Sequence, residues 1–362
     1  MREKLDRFLN EVWYGGDKPP AWLRALVPVY RAGFWLDRKL KSARQPAGLK
    51  RRAIVVVGNM VAGGSGKTPL VIRLCQLARQ AGYRPAVISR GYGRSSGVLA
   101  EVSKDSSPAE IGDEPLIIAR RSGAPVVVAG DRCAAAQFLF DRGADLVISD
   151  DGLQHHRLPR TIEICVVDGE RGFGNGELLP AGPLRESPSR LNNVDFVVIN
   201  GARDEVPSQS VPGDLAAWLG DAVRMELVPG LLHALNGTET WRLSQFTGCR
   251  VNAIAGIGNP DRFFRVLQQA GLQTKNHAFP DHHMFTRQDF SALEQGLPLL
   301  MTEKDAVKCR GLGLDNAWFL AVEAMLPSAW ESAFLQRLDA GFAQHGKHPE
   351  ESSEPRAPPT RW

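Results

Sequence analysis

Residues 55–69 read VVVGNMVAGGSGKTP, and this stretch decides how the rest of the chain is understood. Three valines end a strand. A glycine-rich bend follows, and then a Lys-Thr pair opens a helical pattern. Backbone N–H groups in such a bend, with a helix N-terminus behind them, cradle phosphate oxygens. Gly63, Gly64, Ser65, Gly66, Lys67 and Thr68 make the G-G-x-G-K-T version of this loop; Val61 stands where the commoner spacing would need glycine. Lys67 is expected to reach the β- and γ-phosphates and Thr68 to hold Mg²⁺. Pro69 falls in the first helical turn, where its missing N–H costs little.

Outward from the loop, residues 53–221 alternate Val- and Ile-rich runs with helical periods, the pattern of a parallel sheet covered on both faces. Residues 222–245 read as an extended linker with turns at Pro229-Gly230 and Asn236-Gly237. Residues 246–342 repeat the strand–helix alternation on a smaller scale, including helices over 286–295 and 328–342. The predicted fold class is α/β: two α/β/α sandwich domains, the first a P-loop NTPase-like parallel sheet, joined by a short β linker. The segment 343–362 is polar and Pro-rich and is expected to be disordered.

The 362 residues carry a net charge of +4, too mild to argue for nucleic acid as a partner. Residues 1–52 hold 13 Lys and Arg against 5 Asp and Glu, a local charge of +8, which leaves −4 for the remainder. Arg24, Arg31 and Arg38 recur every seven residues on one helical face, with Trp22, Tyr30 and Trp35 nearby. A basic amphipathic segment suits an anionic bilayer surface; it also suits an ordinary helix packed on its own domain. Pro28 is expected to kink or interrupt it. No run of 18 uncharged apolar residues is present to span a bilayer, and the amino terminus lacks the apolar core of a signal peptide. Cys75, Cys133, Cys165, Cys249 and Cys309 form no C-x-x-C and read as buried thiols of a reducing cytosol.

Four further places carry chemistry. LVISDDGLQHH places Asp150 and Asp151 at the carboxyl end of an apolar strand, where carboxylates position Mg²⁺; DDG is also turn chemistry. In IGDEP, Asp113 and Glu114 open a helix, as caps or with Asp113 as a general base. In FPDHHMF, adjacent His282 and His283 point to opposite sides, so one histidine acting with a carboxylate is the functional reading. Arg90, Arg132 and Arg185 follow strands or sit in Gly/Pro-rich loops and are suited to bidentate phosphate binding.

GNMVAGGSGKTP, SRGYGR, GDEP, DDGLQHHRL, DGERGFGNGELLPAGPLRE, FPDHH and TEKDAVK occur in that order. Together they resemble the tetraacyldisaccharide 4′-kinases of lipid A biosynthesis, from the amino-terminal segment to about residue 340. The resemblance implies ATP and Mg²⁺ as cofactors and phosphorylation of the 4′-hydroxyl of tetraacyldisaccharide 1-phosphate, giving lipid IVA. It implies a monomer, without nucleic acid, peripheral on the cytoplasmic face of a Gram-negative inner membrane, with residues 1–52 as the membrane-associating segment. It also implies Asp113 as base with His282 as its partner, and Asp150 and Asp151 as the metal pair. Gln154 and His155 would lie close by, Arg132 and Arg185 would be active-site cations, and Glu114 and Arg90 would lie at the substrate or just behind it. Thr302–Asp305 receive no role. A switch ATPase of the same loop class would carry a lysine beside Gly63, where Met60, Val61 and Ala62 stand; a membrane-surface scaffold with a decayed nucleotide site would not keep Lys67, Thr68, Asp150 and Asp151.

Overall fold

A computed structural model describes residues 2–16, 18–42, 44–91, 94, 96–103, 105–201 and 222–345. Tyr92 and Gly93 of the SRGYGR motif and the Pro-rich tail beyond 345 lie outside the described residues.

Strand β1 (Ala53–Gly58) is the axis of the nucleotide half. Ile54, Val55, Val56 and Val57 are fully buried because helices cover both faces. Val55 and Val57 pack with α3 (Lys67–Gln80) and with α5 (Asp113–Ser122), which follows the one-turn α4 (Pro108–Ile111), while Ile54 and Val56 pack with α6 (Arg132–Asp141). Each such side chain contributes about 1.5–3 kcal/mol by leaving water. β1 lies between parallel β5 (Leu146–Ser149) and β6 (Ile162–Asp168). β2 (Pro85–Ser89), β4 (Val126–Val128) and β3 (Ala100–Glu101) extend one edge, with β3 antiparallel. β7 (Phe196–Asn200) extends the other. The loops that follow β1 and β5 therefore emerge side by side at the carboxyl ends of neighbouring strands.

The expected linker is a twelve-residue strand, β8 (Val223–Ala234). Its first residues pair parallel with β7, and the rest pair antiparallel with β13 (Ala317–Met325). One sheet thus runs through both halves, in the order β11-β10-β12-β13-β8-β7-β6-β1-β5-β2-β4-β3, with β9 (Thr240–Arg242) on β8. The second half adds β10 (Arg250–Ala255), β11 (Gln273–Ala278) and β12 (Leu299–Thr302), all parallel. Helix α7 (Pro260–Gln269) covers one face and α8 (Glu303–Cys309) the other. Pro229-Gly230 makes no turn: Pro229 pairs with Val322 where the register slips, and an irregularity of this kind tolerates a residue with no N–H to donate. The turn at Asn236-Gly237 is present. Between 286 and 295 there is only a short 3-10 turn, Arg287–Phe290.

The last helix, α9 (Ser328–His345), was expected with the second half. It packs instead on the first: Trp330, Phe334, Leu338 and Phe342 join Val55 and Val57 in one core. Arg73 of α3 grips Glu331 through two hydrogen bonds of 2.8 and 2.9 Å, and Tyr83 bonds Asp339.

At the amino end, α1 (Arg2–Tyr14) and α2 (Ala21–Ser42) dock on the 173–190 segment. Trp13 Nε1 donates to the carbonyl of Pro180 (3.1 Å), the Tyr30 hydroxyl to that of Arg185 (2.9 Å), and Arg24 to Glu177 (2.9 Å). α2 runs unbroken through Pro28. Trp22, Leu26, Val29, Leu36 and Leu40 are exposed and recur at steps of four, three, seven and four, one apolar stripe along the whole helix. Arg24, Arg31 and Arg38 lie on the opposite side, toward the 177–193 segment, so the basic and apolar stripes do not share a face. Among the described residues no helix is long and apolar enough to cross a membrane. Four cysteines are buried as expected, whereas Cys249 is exposed.

Candidate active site

The phosphate loop is shaped by two asparagines that motif reading passed over. Asn59 Nδ2 donates to the carbonyl of Gly63 (3.0 Å), and Asn200 Nδ2, at the end of β7, donates to that of Ser65 (3.1 Å). Gly66 sits at φ +85°, and a Cβ there would fall 2.3 Å from Asn200 Nδ2, so only glycine fits. α3 then begins at Lys67, its first N–H groups turned to the loop. Gly63, Gly64, Ser65, Thr68 and Pro69 complete the turn and the first helical residues.

Asp150 and Asp151 follow β5 directly. Asp151 takes the left-handed backbone conformation, φ +50°, that a DDG turn demands. Its carboxylate lies 3.5 Å from Lys67 Nζ and 3.6 Å from Arg185 Nη1. Burial alone would raise its pKa, but Lys67, Arg185 and Arg132 outweigh that and bring it to about 2. Asp150 is the reverse case. It is fully buried, and its carboxylate accepts one hydrogen bond, from the Ser89 hydroxyl at 3.2 Å. Burial and then the charge of Glu114 push it up to about 7. Two adjacent carboxylates thus differ in charge preference because only one has cations in contact.

Arg132 is not an open-cleft cation. It is buried at the start of α6, donating 2.8 Å to Ser149 Oγ and 2.7 Å to the carbonyl of Asp150, and so supports the aspartate turn from behind. Arg185 is the cation that reaches inward. It also donates to Gln154 Oε1 (3.2 Å), while Gln154 Nε2 bonds the carbonyl of Asn59 and Glu186 Oε1, each at 3.0 Å. This network ties the 185–186 segment to the root of the phosphate loop. His155 is largely buried, and burial followed by the charges of Arg132 and Arg160 lowers it to about 3, so it stays neutral. Arg90 is exposed at the end of β2.

Asp113 is the first residue of α5 and is buried. Its Oδ1 accepts the N–H of Glu114 (2.9 Å) and its Oδ2 lies 3.1 Å from His282 Nδ1. Burial raises its pKa, but the bond from His282 and the charges of Lys304 and Lys308 lower it by more, leaving an ionised carboxylate. His282 comes from the second half, at φ +61°, and its neighbour His283 turns away to Asp289 at 3.3 Å. The unassigned TEKD stretch arrives here too: Lys304 Nζ lies 3.2 Å from both Glu114 Oε1 and Asp281 Oδ1. Elsewhere the halves meet at Arg171, which donates 2.6 Å to the carbonyl of Gly258, and at Glu170, which pairs with Arg265 and accepts 2.6 Å from Asn259.

Ser65 Oγ and Asp150 Oδ1 are buried without a hydrogen-bond partner. Buried polar atoms are normally satisfied, so orphans beside a phosphate loop fit a bound nucleotide and its metal. Among the described residues no three His, Cys, Asp or Glu could hold a metal by themselves. Mg²⁺ needs only one or two carboxylates, with phosphate and water supplying the remaining oxygens. Asp150 and Asp151 offer two such carboxylates, with the Thr68 hydroxyl in the first turn of α3.

The profile of LpxK, tetraacyldisaccharide-1-P 4′-kinase, matches residues 20–339. A tetraacyldisaccharide 4′-kinase of Shewanella amazonensis is 44% identical over 94% of this chain and 99% of its own length. That of Hahella chejuensis is 43% identical over 94% and 98%. Among solved structures, an "apo" form of LpxK from Aquifex aeolicus in complex with ATP superposes with a TM-score of 0.67 at 25% identity, covering 87% of this chain and 99% of that one.

Proposed function

This chain belongs to the tetraacyldisaccharide 4′-kinase family, and from that premise we propose how its residues perform the family's reaction. It is a phosphotransferase that moves a phosphoryl group from ATP to the 4′-hydroxyl of tetraacyldisaccharide 1-phosphate, a step of lipid A biosynthesis. One observation carries the assignment of roles. Asp113 shares the nucleotide half with the Lys67–Asp151–Arg185 cluster, His282 reaches it from the other half, and the Asp150 carboxylate feels Glu114, the immediate neighbour of Asp113.

In this reading the loop from Gly63 to Thr68 holds the ATP phosphates, and Lys67 balances charge on the β- and γ-oxygens. Asp150, Asp151 and Thr68 would hold Mg²⁺, which would supply positive charge against the negative charge of the transferring group. Asp113 accepts the proton of the 4′-hydroxyl as that oxygen attacks; His282 orients it. Arg185 spreads the charge of the transferring group. Arg132 acts indirectly, by holding the Asp150 turn.

The acceptor headgroup is assigned to a groove of about 210 Å³ between α2 and the 178–193 segment, where Arg31, Arg38 and Arg185 supply cations and Ser187 and Ser189 hydroxyls. The exposed apolar stripe of α2 would rest in the membrane interface, where acyl chains emerge. In this reading the enzyme is peripheral, at the cytoplasmic face of the inner membrane.

The test is incubation of purified protein with Mg·ATP and tetraacyldisaccharide 1-phosphate in detergent micelles, read by mass spectrometry. One added phosphate at the 4′ position is expected. Asp113→Asn should lose roughly 10²–10⁴-fold in kcat while still binding ATP; equal loss of ATP binding would make Asp113 structural.

A further inference from the structure

The TEKD stretch has a local architecture that delivers one side chain to one place. Thr302 caps α8 by accepting the N–H of Asp305 (3.2 Å) and donates its hydroxyl to Asp305 Oδ2 (2.6 Å). Asp305 is fully buried. Its carboxylate accepts the N–H of Gly256 (2.9 Å), at the end of β10, and pairs with Lys308 at 2.9 Å. Lys308 lies over the ring of Phe285. The first turn of α8 is therefore fixed to β10 and to the 279–285 segment, and Lys304 has little freedom in where it points.

Its ammonium has three N–H groups and three acceptors: Glu114 Oε1 and Asp281 Oδ1 at 3.2 Å, and His282 Nε2 at 3.4 Å. An ammonium can only donate, and it lies nearer to Nε2 (3.4 Å) than the Asp281 carboxylate does (3.9 Å), so Nε2 accepts as the unprotonated nitrogen of a neutral imidazole. The ring proton then sits on Nδ1, which faces Asp113 Oδ2 at 3.1 Å. Asp281 Oδ1 also accepts the backbone N–H of His282 (3.0 Å), holding it in its uncommon left-handed conformation.

We infer that Lys304 is a positioning residue, which fixes His282 as the Nδ1–H tautomer and thereby aims a hydrogen bond at Asp113. Resting on the reading of Asp113 as base, this deepens it: with Nε2 engaged by a cation, His282 orients and the proton of the acceptor hydroxyl ends on Asp113. The groups facing the pair are Lys304 and Lys308 from α8, Asp281 from the preceding loop and Glu114 from α5.

The test combines a spectroscopic and a kinetic readout on the full chain. ¹⁵N-histidine labelling, with His282→Gln to assign the signal, should show His282 protonated at Nδ1 and not at Nε2. Nε2–H in the wild type overturns the inference without any Lys304 variant. Lys304→Met should abolish the tautomer preference and lower kcat about 10- to 100-fold. It should leave KM for ATP unchanged and move the acid limb of kcat/KM up by about one pH unit as Asp113 loses a nearby cation. Lys304→Arg, which keeps the charge and donors, should recover part of kcat. Loss of kcat with an unchanged tautomer and acid limb, or no recovery by arginine, would show a merely structural lysine. If instead Asp113→Asn retains full transfer, the base assignment falls, while the tautomer measurement still answers separately.

Discussion

Replacing Asp150 by asparagine should stabilise the nucleotide-free protein while destroying its activity, and the gain should grow with pH. The buried carboxylate titrates at about 7 when folded against about 3.9 in an unfolded chain. A raised pKa means the folded state binds more protons than the unfolded state between those values. Stability is therefore lost as pH rises through that window, and the full penalty stands above pH 7. From pH 6 to pH 8 the added penalty is about 1.4 kcal/mol, half of what 1.36 kcal/mol per unit would give without saturation. Asparagine has no such term. It can still accept the Ser89 hydroxyl, and the unpaired amide edge costs less than an unpaired charge. Thermal unfolding without ligand at pH 6, 7 and 8 should show the difference in Tm between variant and wild type widening by about 2 °C per kcal/mol. Mg·ATP should raise the wild-type Tm and leave that of the variant nearly unmoved, because a ligand stabilises only what it binds. A Tm gap independent of pH would show that Asp150 is not a proton-linked group, and the contrast drawn between the two aspartates would fail. The companion variant Asp151→Asn has the opposite sign: its carboxylate is held low by Lys67, Arg185 and Arg132, so its removal should cost stability at neutral pH.

Three other outcomes follow from particular residues. Gly66→Ala brings a Cβ to 2.3 Å from Asn200 Nδ2 at a positive φ; strain of about 1–3 kcal/mol should weaken ATP binding by calorimetry at least tenfold, and unchanged affinity would disprove the loop geometry. Phe334→Ala in α9 should cost about 3–5 kcal/mol of stability and destabilise the nucleotide half, measured as faster proteolysis around α3; an unaffected α3 would mean the last helix packs elsewhere. Trp22→Ser with Val29→Ser and Leu36→Ser removes three of the five stripe residues and should cut co-sedimentation with anionic vesicles about tenfold without changing ATP binding; undiminished sedimentation would leave the stripe without that role.

The phosphate loop was legible because its chemistry is local: glycines, Lys67 and Thr68 act through backbone and spacing within one turn. Asp150 and Asp151 were legible for the same reason, as they end a strand next to β1. What could not be read was anything decided by distant packing. Lys304 meets Glu114 across 190 residues of chain, and no local pattern announces that. Asn59 and Asn200 look like ordinary strand-end residues until their amides are seen to hold the loop. Arg132, read as a cleft cation from its Gly-rich context, is buried behind Asp150. An amphipathic helix near the carboxyl end carries no mark of which sheet it covers, so α9 was placed with its sequence neighbours. Pro229-Gly230 reads as a turn because that dipeptide usually is one, and only the pairing partner makes it a strand irregularity.

The return of α9 to the first sheet, together with the passage of β8 from one half to the other, makes the second half an inserted module. The chain leaves the nucleotide half near Met225 and re-enters it after Met325, through β8 and β13, which lie hydrogen-bonded side by side with Met325 opposite Glu226. Entry and exit points that close can be joined by a few residues, the circumstance in which domain insertion and excision are tolerated. The insertion supplies His282 and Lys304, which meet Asp113 and Glu114 of the nucleotide half.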